Sequence, residues 1–573
     1  FFSTIHERIR FVFLVSIIIL IAIIIKVFYI QVFAYEKLNT LAESLWSREL
    51  PIKADRGLIV DRNGEVLATN ITTVSLVVVP GQIDDPESVA KDLSDILNTD
   101  YQDMLKHVTK STSIERVHPE GRGLDYDVAE KIDALGYDGV YLLKESKRYY
   151  PYESVLSHVL GYVGIDNQGL SGIELYYDEY LTGADGAIKY FSDGKGNKLE
   201  LTEVYEAPTS GITIQLTIDI HLQLAIENEL DNAISKYNPE QGLIVVMDPD
   251  TGEILAMASR PNFDSNHYQD YGTEIINRNL PIWMTYEPGS TFKIITLSAA
   301  LEEQTINLFE DTFTDTGSIN VDGATIHCWK SGGHGTQTML EVVENSCNPG
   351  FVRIGQTLGT ETLMSYIDAY GFGDKTGIDL NGESTGILFD VDKMGPVELA
   401  TTSFGQGISV TPIQQIRAVS AAINGGYLYT PYMVGAFLES ETNSLIEKVE
   451  SNATKQVISE ETSSLVRYAL ESVVANGSGK NAYIENYRVG GKTGTAQKVE
   501  NGAYLDGNYI LSFMGFMPAD DPEVVVYVAI DNPKGVTQYG GVVSAPIARN
   551  VLLSAIDILD IEPSREGMAK EYT

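Results

Sequence analysis

Two cysteines, Cys328 and Cys347, are too few among 573 residues to build a disulfide scaffold. Positive charge is also scarce: 40 Lys and Arg stand against 79 Asp and Glu, a formal net charge of -39. Nucleic-acid phosphates would be repelled by such a chain, which argues against that partner and suits a soluble, extracytoplasmic surface. Two catalytic signatures are absent as well. No serine has both glycines of Gly-x-Ser-x-Gly, so a nucleophile-elbow hydrolase is excluded. A phosphate-binding P-loop ahead of Gly491-Lys492-Thr493 would need glycine where Asn486 stands.

What is present begins with an apolar run from Phe11 to Phe33, interrupted only by Lys26 and Gln31 near its far end. About 20 such residues cross a bilayer, so one transmembrane helix is expected over 11–33, with Lys26 snorkelling outward. Arg8 and Arg10 precede it and favour a cytoplasmic N-terminus with the body of the chain outside. A signal peptide cut near Val32-Phe33-Ala34 is the alternative, disfavoured because its apolar core would be too long. The chain opens on Phe1, so residues 1–10 are read as the remnant of a cytoplasmic tail.

A length of 573 residues with 43% hydrophobic content implies two or three globular domains. Arg56 to Ala68 reads as a hairpin turned at Asn63-Gly64. From there to about 210 the pattern mixes helix and strand, and no nucleophile, base or metal cluster gathers; residues 36–210 are read as a pedestal. From Thr213 a helix at Ile220 to Leu230 leads into strands Gly242–Met247 and Glu253–Ala258. A second meander runs from Tyr487 to Ile530, and Ala545 to Leu559 closes as a helix. Strands at both ends with helices between predict an α+β domain over 213–560, an antiparallel sheet covered by helices, followed by a tail at 561–573.

The chemistry centres on Glu287-Pro288-Gly289-Ser290-Thr291-Phe292-Lys293, followed by an apolar helix-length run. Ser290 and Lys293 lie three positions apart on one helix face, and a desolvated lysine amine can take a serine proton. Two later motifs can converge on them. Ser346-Cys347-Asn348 offers a relay hydroxyl and an amide to hold a peptide, and Lys492-Thr493-Gly494-Thr495 offers a cation, hydroxyls and an approachable backbone for a carboxylate. Each motif has a decoy: Ser192-Asp193-Gly194-Lys195, Ser318-Ile319-Asn320 and Lys375-Thr376-Gly377, all in turn-like or acidic surroundings.

In that order the trio resembles the penicillin-binding proteins and serine β-lactamases. The single N-terminal span, Arg56 to Ala68, Gly169 to Glu174, Gly405-Gln406-Gly407 with Thr411-Pro412, and Tyr487 to Lys498 resemble a class B penicillin-binding protein. Within it, His327 to Lys330, Gly332 to Gly335 and Ser346 to Pro349 look most like the sporulation-specific SpoVD branch, beside the FtsI-type division enzymes. The chain departs from many relatives by ending at Thr573 without a PASTA repeat.

The resemblance implies a peptidoglycan D,D-transpeptidase in which Ser290 attacks a D-Ala-D-Ala donor and Lys293 takes its proton. It also implies that Ser346 and Lys492 return a proton to the leaving D-alanine, that Asn348 holds the donor, and that Thr493, Gly494 and Thr495 form the carboxylate and oxyanion side. Implied partners are stem peptides on a lipid-linked precursor polymer, β-lactam antibiotics, the membrane, a SEDS-type glycan polymerase of the FtsW, RodA and SpoVE kind, and divisome or sporulation proteins. Two other readings remain: a non-catalytic scaffold for that polymerase, and a β-lactam sensor or hydrolase.

No cofactor is required for acyl transfer. Cys328, His334 and Cys347 are nonetheless plausible zinc ligands, with Asp322 or His327 as a fourth. A Cys328–Cys347 disulfide and two packed free thiols are the alternatives.

Overall fold

The computed structural model describes residues 2–39, 47–112, 114–191, 204–500 and 503–564. The Ser192 to Lys195 turn and residues 565–573 of the tail lie outside them. Two compact units interleave along the chain. Phe1–Asp55, Thr72–Lys147 and Gly183–Thr209 form the first; Arg56–Ile71, Arg148–Thr182 and Ser210–Thr573 form the second. The stretches that begin at Arg56 and Arg148 thus pack with the unit that carries Ser290.

In the first unit helix α1, Phe2–Val32, exposes its apolar side chains along its length. From Phe11 to Val32 it spans about 33 Å, the thickness of a bilayer's hydrocarbon core. The Thr72–Lys147 part of this unit closes on Leu76, Val78, Val89, Leu93, Met104 and Val117. Its helices Pro86–Leu97 and Tyr101–Val108 start where the Asp85 and Asp100 carboxylates accept backbone N–H groups.

The second unit is entered through a buried ionic knot. Arg56 Nε and Arg148 Nε donate to the two oxygens of Glu174 at 2.6 and 2.7 Å, and Arg56 Nη1 reaches Asp178 at 2.7 Å. Arg148 also donates to the Gly57 carbonyl at 2.7 Å and Arg56 to the Glu174 carbonyl at 2.8 Å. Glu174 and Arg148 are fully buried at their side chains, so each charge depends on the others.

Behind the knot stand α2 (Ile220–Tyr237), β1 (Gln241–Met247), β2 (Ile254–Arg260), α3 (Lys293–Glu302), α4 (Asn348–Leu358), α5 (Pro412–Ile423) and α6 (Glu460–Ala475). The chain ends with β3 (Gly490–Glu500), β4 (Ala503–Met517), β5 (Val524–Asp531) and α7 (Gly540–Leu559). The strands form one sheet in the order β2-β1-β5-β4-β3, antiparallel throughout. Alternation in β5 shows why helices cover both faces: Val525, Tyr527 and Ala529 join the core with α3, α4 and α5, while Val524, Val526, Val528 and Ile530 join the core with α2 and α7. The α+β architecture is the expected one.

Two helices are longer than their sequence patterns predict. α2 passes Leu230 because Ala233 and Tyr237 still bury, and stops only at Asn238, whose φ of 42° caps it. α7 starts at Gly540 instead of Ala545, since a side chain at 540 would strike the backbone oxygens of Gly494 and Ser512 at 2.2 and 2.5 Å. Glycine, a poor helix former, is what lets this helix begin against the sheet.

Candidate active site

Pro288 and Gly289 set up a single 3-10 turn, Gly289–Thr291, that runs directly into α3. Gly289 has φ +56°, and a Cβ there would crowd Ala496 Cβ at 3.1 Å and the Thr495 carbonyl at 3.3 Å. On the facing strand, a Cβ at Gly494 would lie 2.1 Å from Ser512 Oγ and 3.1 Å from Thr291 Cγ2. Glycines on both sides therefore let the turn carrying Ser290 press against edge strand β3. Ser290 itself is half-buried, one turn before Lys293.

Lys293 and Lys492 are both fully buried, and both point at Ser346. Lys293 Nζ lies 2.8 Å from the Ser346 carbonyl, 2.7 Å from Asn348 Oδ1 and 3.3 Å from Ser346 Oγ. Lys492 Nζ lies 2.7 Å from the same Oγ and 3.1 Å from the Thr493 carbonyl. Ser346 holds a left-handed φ of 52° to place its hydroxyl between the two amines. The three motifs thus converge on one hydroxyl. The Ser290 hydroxyl is not among the hydrogen-bond partners of Lys293, whose amine is engaged by Ser346 and Asn348.

Burial brings the Lys293 pKa down to about 7, although the thiols of Cys347 and Cys328 pull it the other way. Burial also pushes Lys492 well below the usual lysine range, and Lys293 adds to that push. Two ammonium groups sharing one hydroxyl in a desolvated pocket are mutually unfavourable, so the pair sheds a proton near neutrality. A neutral Lys293 fits its surroundings: two N–H groups serve the two carbonyl-type oxygens, leaving a lone pair to accept a proton.

Thr493 and Thr495 follow Lys492 on β3. Thr493 Oγ1 meets Ser478 Oγ at 3.2 Å, and Thr495 Oγ1 accepts the Gly540 N–H at 3.2 Å. Neither described decoy is a hydrogen-bond partner of Lys293 or Lys492. Asn320 lies on an exposed hairpin paired with Ala324–His327, and Lys375 is exposed in a loop whose Thr376 is tied to Glu383.

Sequence reading missed two supports. Glu287 accepts from Gly407 N–H at 2.9 Å and from Tyr504 OH at 3.1 Å, joining the Ser290 turn to the Gly405–Gly407 loop and the β3–β4 hairpin. Burial raises its carboxyl above the usual range against those two hydrogen bonds. Ser478 is the other, and its Asn476-Gly477-Ser478-Gly479 context signals only a loop.

Cys328, His334 and Cys347 do cluster, and their donor atoms with one oxygen of Asp315 all lie within 4.8 Å of one another. The fourth member is Asp315, which replaces the expected Asp322 or His327. Asp322 sits at a hairpin tip with φ +47°, and His327 is exposed on the adjoining strand. Asp315 pairs with Gly335 across a two-stranded ladder and so reaches His334, whose Nδ1 is 2.9 Å from its carboxylate. Burial raises the Asp315 carboxyl, but hydrogen bonds from Cys328, Gly317, His334 and Cys347 outweigh that and hold it at about 2. Both cysteines are free thiols, buried, and not joined as a disulfide. Two thiols, an imidazole and a carboxylate at this spacing could hold a transition metal.

Comparison with known proteins gives two family matches: the penicillin-binding protein dimerisation domain over residues 51–216 and the penicillin binding protein transpeptidase domain over 242–553. The chain is 54% identical to stage V sporulation protein D of Bacillus subtilis over 570 residues, covering 99% of this chain and 88% of that protein. It is 31% identical to the probable peptidoglycan D,D-transpeptidase PenA of Neisseria meningitidis, covering 98% and 94%. Among solved structures, penicillin binding protein 2X of Streptococcus thermophilus matches with a TM-score of 0.73 at 26% identity, over 89% of this chain and 80% of that one.

Proposed function

Since this chain belongs to the class B penicillin-binding proteins, with a dimerisation domain ahead of a transpeptidase domain, we infer that it is a peptidoglycan D,D-transpeptidase. It is a serine acyltransferase that cross-links stem peptides and is acylated by β-lactams. The observation that carries the assignment of its residues is the meeting of Lys293 and Lys492 on the Ser346 hydroxyl, at 3.3 and 2.7 Å.

Ser290 Oγ attacks the carbonyl carbon between the two terminal D-alanines, and its proton passes to the neutral Lys293 amine. Backbone N–H groups of Ser290 and Thr495 face the oxyanion, each worth roughly 3 kcal/mol in comparable enzymes. Asn348 holds the donor peptide, while Thr493, Gly494 and Thr495 receive its terminal carboxylate. The C–N bond then breaks, and the departing D-alanine amine takes a proton through Ser346 and Lys492. An amine of a neighbouring stem attacks the acyl-enzyme, the Ser290 oxygen leaves with a returned proton, and the new amide is the cross-link. A β-lactam enters the first step, but its leaving group stays tethered.

The dimerisation domain is assigned to 36–210 and the transpeptidase domain to 213–560, a division supported by the matched spans 51–216 and 242–553. The apolar helix α1 fits a single-pass anchor. Arg8 and Arg10 support a cytoplasmic start for it and an outside catalytic unit. Identity of 54% to a stage V sporulation protein supports a role in sporulation; a SEDS-type polymerase and other sporulation or division proteins working on lipid-linked polymer are the partners that the family resemblance implies.

Asp315, Cys328, His334 and Cys347 are assigned to a structural zinc ion, which would fix Ser346 and Asn348 from behind through the intervening Cys347. Near-unit zinc in protein purified without chelator supports this, and zinc-free protein with full activity removes it.

The catalytic reading is tested by supplying lipid-linked polymer with pentapeptide stems and separating the digested products. Wild-type protein should form cross-linked dimers and release D-alanine, and Ser290→Ala should do neither. Full wall assembly in cells that carry Ser290→Ala would instead favour the scaffold reading.

A further inference from the structure

The two threonines assigned to the carboxylate each have a hydrogen-bond partner within the protein. For Thr495 the partner is unambiguous: Gly540 N–H, in the first turn of α7, can only donate, so Thr495 Oγ1 accepts and its own proton is free for another acceptor. For Thr493 the partner is the hydroxyl of Ser478 at 3.2 Å, where either oxygen could donate.

Ser478 is held from two directions. Its N–H donates to the Glu344 carbonyl at 3.0 Å, two residues before Ser346, and its carbonyl lies so near α7 that a Cβ at Gly541 would be 2.7 Å away. Gly477 is wedged equally tightly, since a Cβ there would meet the Glu344 carbonyl at 2.4 Å. The loop is thus a fixed strut between the helix end just before the Ser346 motif and β3, and its hydroxyl lies 3.2 Å from that of Thr493.

A threonine hydroxyl has one proton. If Thr493 spent it on Ser478, it would present only lone pairs to an incoming carboxylate, which repels them. We propose that Ser478 is a positioning residue of the carboxylate subsite: it donates to Thr493 Oγ1, so that Thr493 and Thr495 both present O–H donors to the ligand's carboxylate. This rests on the transpeptidase reading above. The effect acts on recognition of an anion, so it belongs to the binding step, and it vanishes for a ligand whose carboxylate is masked.

The test uses the full chain in detergent and compares Ser478→Thr with Ser478→Val, which have the same shape and differ only in the hydroxyl. Pre-acylation binding and the acylation rate constant are measured separately with a benzylpenicillin and with its methyl ester. The Thr variant should bind benzylpenicillin as wild type does, and the Val variant, in which Thr493 keeps its proton but loses the donor that orients its hydroxyl toward the ligand, should bind it about 2- to 10-fold more weakly, the scale of one ordinary hydrogen bond. Both should acylate with similar rate constants, and both should react alike with the ester. Equal binding of benzylpenicillin by the two variants overturns the proposal, as does an equal loss toward the ester, which would mark a merely structural effect. Failure of the wild-type protein to be acylated at all would instead overturn the transpeptidase reading.

Discussion

A left-handed backbone at Ser346, φ 52°, costs of order 1 kcal/mol or more for a non-glycine residue. What it supports is a hydroxyl within 3.3 Å of one buried amine and 2.7 Å of another. Ser346→Ala should therefore lower the acylation rate constant by about 100-fold or more, in the range of lost proton-transfer groups, with little change in melting temperature. Stopped-flow fluorescence with a labelled penicillin measures it. A pH dependence follows from Lys293, whose pKa burial has brought down to about 7. Below that value the amine is protonated and cannot accept from Ser290; above it the base is free. Acylation should fall about tenfold per unit of pH well below 7 and level off above about 8, and a flat profile across that range would count against Lys293 as the base. Ser290, Lys293, Ser346 and Lys492 could be picked out in the sequence because three motifs stand in one order, in contexts their decoys lack, and the fold brings Lys293, Ser346 and Lys492 together. Asp315 could not, because a carboxylate on one strand of a ladder is brought to His334 by pairing with Gly335, which no local spacing reports.

At the scale of elements, β3 and α7 set how closely the site's walls approach. Gly540 is the contact point, where a Cβ would sit 2.2 Å from the Gly494 carbonyl. Gly540→Ala should push α7 off the sheet, lowering stability by about 1–3 kcal/mol as overpacking does and slowing acylation as well. Urea titration and labelled penicillin read the two effects. An alanine here that leaves both unchanged would mean the helix start is not seated as described. The strands were readable as short continuous apolar runs around turn residues, and the closing helix as the apolar stretch Ala545 to Leu559. Its first turn was not, since two glycines read locally as a loop and only the facing sheet backbone explains them.

At the scale of the whole molecule, segments that the sequence pattern assigns to a pedestal pack with the catalytic unit. Arg56, Arg148, Glu174 and Asp178 tie these segments to one another, from positions up to 122 residues apart, and Tyr177 OH on Asp379 and Leu156 N–H on Glu227 fasten them to the rest of the unit. Their motifs were visible, but their partnership was not: charged residues in glycine-rich stretches read as solvated turns until tertiary pairing buries them. Glu174→Ala would leave two arginines buried without their shared carboxylate and should cost about 3–5 kcal/mol, the scale of a broken buried pair. Calorimetry of the full chain should show the loss, with acylation chemistry intact in the protein that remains folded.

The most direct measurement is peptide mapping of the full-length protein after reaction with benzylpenicillin. A single stable adduct on Ser290, absent from Ser290→Ala and formed far more slowly by Lys293→Ala, is the predicted result. An adduct on any other side chain, or rapid turnover of penicillin with no adduct retained, would contradict the account.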